Sequence, residues 1–227
     1  MDVFANLILA HMVADFPLQT SPVFRWKTRS IWGVAFHAFL HFLINALLFA
    51  PVLARAWPTF VVLFLLHIVQ DQSKVKLGKE NANTPFPFLM DQALHLFILA
   101  AAAFLPPLRG AGHPWLSTHW AFLLAGVTAA TFAGTIFLYT LAQSIPGERH
   151  DLGITVSRQT VDFLFNGVLF GAILAGWYWL AALTLLCKGI FWKARVGGPY
   201  YSALLELGAG PLWVIAIGLL TQQARGF

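Results

Sequence analysis

Four pairs of side chains, each spaced four residues apart, carry the chemistry open to this sequence. They are His11 and Asp15, His37 and His41, His67 and Asp71, and Asp91 and His95. On a helix that spacing sets both side chains on one face, a single turn apart. Imidazole nitrogens and carboxylate oxygens together suit zinc, iron or manganese. Eight donors exceed what one tetrahedral ion takes. They fit two ions, or one ion backed by Asp–His pairs that fix the imidazole tautomers. The plainer alternative is a hydrogen-bonded polar network or a proton path, and one pair alone would suggest no more. His113, His119 and His150 show no such pairing.

The elements that must position these pairs are membrane helices. Of 227 residues, 59% are hydrophobic and 10% charged, against ~45–50% and ~25% in soluble domains. The mean hydropathy is +0.72. Those values exclude a disordered chain and disfavour a soluble globule. The single cysteine, Cys187, excludes an internal disulfide framework and any Cys-rich zinc or iron–sulfur site. The net charge of +5 is spread between apolar runs, as in loops facing a cytoplasmic leaflet, and no nucleic-acid partner is expected. A bilayer core needs ~20 apolar residues per helix.

Seven spans are predicted, at 2–16, 32–53, 58–75, 86–105, 119–142, 161–187 and 202–221. The fold class is therefore all-α, a polytopic transmembrane bundle whose first four helices form the metal-site bundle. The first span carries Asp2 where a cleaved signal would carry Lys or Arg, so it reads as a retained helix. Thr84-Pro85 marks a helix start, Ser117 or Thr118 would cap the fifth span and Ser157 the sixth. Pro106-Pro107 stops the fourth. The stretch from Val161 to Trp192 is either one long helix or two short ones broken near Gly176.

Alternating helix direction sets all four pairs in one layer. His11–Asp15 and His67–Asp71 lie near helix ends, His37–His41 and Asp91–His95 near helix starts. Nine of the fourteen basic residues (Arg25, Lys27, Arg29, Lys74, Lys76, Lys79, Arg149, Arg158 and Arg225) fall on that side. It is expected to be cytoplasmic, with the amino terminus outside; Lys193 and Arg195 in the last loop run against that assignment. Ionisable groups at membrane depth cost at least ~2.5–3.5 kcal/mol on insertion scales and usually mark function. The chain changes character near residue 106. This predicts a His/Asp-bearing core over 1–105 and accessory helices over 106–227. In the second part, Gly126-Ala130-Gly134 and Gly167-Gly171 have the spacing of close helix packing, with a homo-oligomer face as the sharper reading. Asp162, Asn166 and Glu206 read as capping or snorkelling positions.

The run His11-x3-Asp15-Phe16-x-Leu18-Gln19, then Lys27, His37-x3-His41, His67-x3-Asp71-x2-Lys74 and Phe88-x2-Asp91-Gln92-x2-His95 is similar to an uncharacterised bacterial integral membrane family over about residues 5 to 105. The resemblance implies a shared site and a bacterial inner-membrane location, and no activity.

The residues favour one function over two others. Lys27 and Lys74 each lie just beyond a His/Asp pair, and basic side chains beside a metal favour an anionic substrate, commonly phosphate. The leading expectation is a metal-dependent hydrolase with one or two divalent transition-metal ions (zinc, iron or manganese). It would act on an anionic, phosphorylated membrane lipid at the cytoplasmic headgroup layer. Catalytic candidates are Asp71, Asp91, Lys27 and Lys74; the metal candidates are the eight paired residues. The plain reading of the lysines is the positive-inside rule or anionic-lipid binding. A divalent-metal transporter, or a metal-binding membrane protein without catalysis, is the second class; a transport site would sit nearer the midplane. An iron oxygenase acting on lipid chains is the third, though it lacks neighbouring-histidine clusters. No phosphate-cradling glycine loop, Gly-x-Ser-x-Gly or His-Glu-x2-His occurs.

Overall fold

A computed structural model describes residues 1–77, 85–109, 112–144, 156–193 and 204–225. Thr84, Lys79, Arg149, His150 and Arg195 lie outside the described residues, as do the side chains of Ser157, Arg158 and Arg225. Every regular element among the described residues is helical. The chain forms two compact units, residues 1–82 with 86–125 and residues 83–85 with 126–227.

The first unit is built from α1 (Asp2–Asp15), α2 (Ser21–Lys27), α3 (Ile31–Leu48), α4 (Leu53–Leu77), α5 (Pro85–Ala103), the single turn α6 (Pro106–Arg109) and the start of α7 (Thr118–Thr128). Its polarity is inverted relative to a soluble domain. Val69, Leu47 and Phe97 are exposed, while His37, His67 and Asp71 are buried. An apolar exterior around a polar interior is stable only where the surroundings are themselves apolar. At the end of the bundle away from the paired residues, Leu7, Phe49, Phe60, Leu99 and Leu108 form a conventional apolar core.

Local chemistry sets the helix starts. Ser30 Oγ accepts the Trp32 amide at 3.2 Å and opens α3. The sequence predicts Ser117 or Thr118 as the cap of the fifth span. The helix begins at Thr118, Ser117 O accepts the Ala121 amide, and the Thr118 amide and hydroxyl both donate to Asp2 Oδ1. Asn6 Nδ2, one turn further along α1, donates to Leu116 O at 2.8 Å. The beginning of α1 thus fastens the beginning of α7, a contact 116 residues apart that no local pattern announces.

The short helix α2 folds back on α3 at Gly33. A Cβ there would run into the carbonyl of Trp26 and the amide of Lys27, so only glycine permits this approach. The contact delivers the Lys27 side chain to the bundle interior. Gly33→Ala is expected to destabilise the protein by about 1–3 kcal/mol, the usual cost of forcing a methyl group into a packed contact. Thermal unfolding in detergent checks this, and an unchanged midpoint would contradict it.

Among the described residues, five helices are long and apolar enough to cross a membrane, which fits an integral membrane protein. They are Ile31–Leu48, Ala50–Lys76, Pro85–Ala103, Thr118–Leu141 and Leu205–Ala224. Seven were expected. The span at 2–16 is the 14-residue α1, about 21 Å long at 1.5 Å per residue and short of a ~30 Å core. The span at 161–187 resolves into two helices, α9 (Val156–Leu174) and α10 (Tyr178–Phe191). Gly176, at φ +71°, ends α9. The Trp177 amide bonds Ala172 O and the Gly176 amide bonds Ile173 O, the double closure that a glycine in the left-handed region allows.

In the second unit, α7 passes through a widened turn (Ala129–Ala133) into α8 (Gly134–Gln143), and the last helix is α11 (Gly210–Arg225). Gly126 packs directly on Thr221 and Phe170, and Gly134 on Trp213, as the small-residue spacing predicts. Gly167 and Gly171 do not pack: nothing lies within 4 Å of a Cβ at either. Asp162 and Glu206 are not isolated polar positions. Buried Lys188 places its Nζ 3.4 Å from Asp162 Oδ1 and 3.9 Å from Glu206 Oε2.

Candidate metal centre

All eight paired residues meet inside the first unit. The rings of His41 and His67 are 3.9 Å apart between centroids, His67 and His95 4.6 Å, His11 and His95 4.7 Å, and His37 and His41 4.9 Å. Asp15, near the end of α1, is the hub. Its Oδ1 lies 3.0 Å from Nε2 of both His37 and His41, and its Oδ2 accepts from Gln92 Nε2 at 3.1 Å. Three helices therefore converge on one carboxylate. His11 Nε2 lies 3.5 Å from Asp15 Oδ2 and 3.2 Å from Gln92 Oε1.

Asp71, on α4, is 1% exposed at its side chain. Lys27 Nζ sits 2.7 Å from its Oδ2, and His67 Nε2 3.2 Å from the same atom. These are ion-pair contacts; the angles leave both Asp71 oxygens without a hydrogen bond. Lys27 Nζ also donates to Gln19 Oε1 at 2.9 Å. At the outer edge, Lys74 pairs with Asp91, whose neighbour on α5 is His95 Nδ1 at 3.6 Å from Oδ1. Lys74 is 38% exposed at its side chain and Lys27 only 9%. Both lysines singled out by position thus stand at the cluster, each occupied by one of its carboxylates.

Three groups of donors converge closely enough to hold an ion, their ligand atoms lying within 4.8 Å of one another: Asp15, His37, His41 and His67; His11, His67 and His95; and Asp71, Asp91 and His95. The first and third share no residue. The first group is fully buried and has three nitrogens and one oxygen, a set that suits zinc or iron. The third has two carboxylates, and each is now held by a lysine, so an ion there competes with Lys27 and Lys74. His11 belongs to neither of these two groups. It stacks on His95 at an interplanar angle of 29° and supports the cluster through Gln92 and Asp15.

Four amides also belong to the site. Gln92 and Gln19 bind Asp15 and Lys27 as described. Gln70 Nε2 lies 3.2 Å from Asp91 O and 2.7 Å from His95 Nδ1, and Asn45 Nδ2 donates to His41 O at 2.9 Å. The signal for two of them is periodicity. Asn45 continues His37 and His41 by one more turn of α3, and Gln70 lies on the α4 face that carries His67, Asp71 and Lys74. Of the remaining histidines, His113 Nδ1 pairs with Asp2 at 2.9 Å on the surface.

A search of curated proteins and one of solved structures found no match. A family profile, described as a protein of unknown function (DUF3307), matches residues 3–123, just over half of the chain and the part that holds every donor above. The chain belongs to the DUF3307 family.

Proposed function

We propose that this chain is a membrane-embedded, metal-dependent hydrolase acting on an anionic, phosphorylated lipid at the cytoplasmic headgroup layer. The observation that carries the reading is a buried imidazole–carboxylate cluster with two lysines on its basic edge, one interior and one partly exposed. Lys74 meets an arriving phosphate first, trading Asp91 for a phosphoryl oxygen, and Lys27 holds the inner end of the anion beside Asp71. Lysine suits this exchange because it presents a mobile point charge with three donors. A divalent transition metal, when bound, lowers the pKa of its water and polarises a phosphoryl oxygen. Whichever of Asp71 and Asp91 does not ligate is in place to accept a proton.

Transport is the less favoured reading. Beside His41, His67 and His95 the lining holds the amides of Asn45 and Gln70 and apolar side chains such as Phe60, Leu63 and Leu99, with no second set of imidazole or carboxylate ligands. In proteoliposomes, metal-dependent release of phosphate from a phosphorylated lipid is expected, without metal flux above empty vesicles. Lys74→Ala is expected to slow release while keeping the metal content. Saturable zinc or manganese uptake that is abolished by Asp71→Ala and indifferent to lipid would overturn the hydrolase in favour of a transporter.

The orientation is tested separately. In a Cys187→Ser background, Lys76→Cys is expected to react with an impermeant thiol reagent from the cytoplasmic side and Arg109→Cys from the opposite side. The reverse pattern would put the cluster at the other leaflet and remove the cytoplasmic substrate.

A further inference from the structure

We infer that the cavity beneath the imidazoles is a water site, and that Asn45 and Gln70 hold its water by accepting both O–H bonds. The cavity has a volume of about 30 Å³ and is bordered by His11, His41, Asn45, His67, Gln70 and His95 on its polar side. One water needs roughly 10–15 Å³ of such space, so one or two fit and a phosphate does not.

Two residues of this lining each carry a buried polar atom without a hydrogen-bond partner: Asn45 Oδ1 and Gln70 Oε1. The amide orientations are fixed by their other ends. Asn45 Nδ2 is spent on His41 O, and Gln70 Nε2 faces Asp91 O and His95 Nδ1. What remains unpaired on both amides is therefore oxygen. Buried carbonyl oxygens left unpaired are costly, and the usual remedy is an ordered water with two or more polar partners. An occupant satisfying two acceptors must bring two hydrogens. Dioxygen or an acyl chain brings none, and an anion would face two carbonyl dipoles.

A water that donates to both amides turns its lone pairs away from them, toward His67 and the donor cluster. This role rests on the hydrolase reading: the cavity supplies the water that hydrolysis consumes, and as its oxygen bonds to phosphorus the ester P–O bond breaks and one proton passes to whichever of Asp71 and Asp91 does not ligate. Asn45 and Gln70 are then positioning residues for it.

Pulsed radiolytic labelling in ¹⁸O-water tests the site on the full-length chain in lipid, because a bound water marks the side chains beside it. Label is expected on Leu63 and Phe64 in the wild type, and its loss in Asn45→Leu and in the near-isosteric Gln70→Met. No label in the wild type, or equal label in a folded variant, overturns the water site. A second arm loads the same samples with manganese(II) in D₂O and reads exchangeable deuterium coupling at the ion. Coupling in the wild type that is lost in either variant at unchanged manganese content supports the assigned role. Label without uptake of manganese, zinc or iron leaves the water site standing and sinks the hydrolase reading. Label with manganese bound but no coupling overturns the role of the water and leaves the metal reading intact.

Discussion

The variant carrying His37→Ala and His41→Ala together is expected to lose at least one bound metal ion per chain. Both imidazoles stand on one turn of α3 and belong to the same four-donor group with Asp15 and His67. Removing them leaves one nitrogen and one oxygen, too few to retain a transition metal against water. The same change strips Asp15 of two of its partners, since both rings contact its Oδ1 at 3.0 Å. A buried acceptor deprived of a partner costs about 1–3 kcal/mol, so the metal-free variant is also expected to unfold at a lower temperature. His113→Ala is the control. Its ring is 88% exposed and pairs with Asp2 at the surface, so metal content is expected to stay at the wild-type value. Elemental analysis of the three proteins reads the result, and equal metal in all of them would exclude the α3 histidines as ligands.

Lys27→Met is expected to destabilise the metal-free protein by about 3–5 kcal/mol, the cost of removing one partner from a buried ion pair. Asp71 is 1% exposed, and Lys27 is the cation against it. The loss is expected to be recovered when zinc or manganese is added. An ion at Asp71, Asp91 and His95 supplies the positive charge that the lysine supplied. Wild type gains less from the same addition, because there the ion must displace Lys27. The measurement is the unfolding midpoint with and without metal for both proteins. A variant as stable as wild type, or one that metal does not rescue, would show that Lys27 and an ion do not share Asp71.

The donors were legible in the sequence because a helix repeats every 3.6 residues, so the spacing His11 to Asp15 or His67 to Asp71 fixes a common face without any knowledge of the fold. Their common level followed from helices that alternate in direction. Partners across helices were not legible. Nothing local says that Asp15 serves the two imidazoles of α3, or that Lys27 reaches Asp71. That second contact depends on α2 folding flat onto Gly33, where the absence of a side chain is the only trace in the sequence. Asn45 and Gln70 carry no charge and stand out less than the ionisable pairs, although both keep the register of the histidines. Span count failed where length and composition part company. α1 is apolar enough but too short, whereas the break near Gly176, one of the two readings the sequence allows, is the one that separates α9 from α10. Lys188, Asp162 and Glu206 come from three separate helices, so no spacing rule could join them.

If the His/Asp cluster is a metal centre, the protein must hold metal. Full-length protein purified without chelator, then offered zinc, iron or manganese and freed of excess, is expected to hold one or two ions per chain by elemental analysis. Protein that carries no metal after purification and takes up none of the three would contradict the claim and reduce the cluster to a buried hydrogen-bonded network.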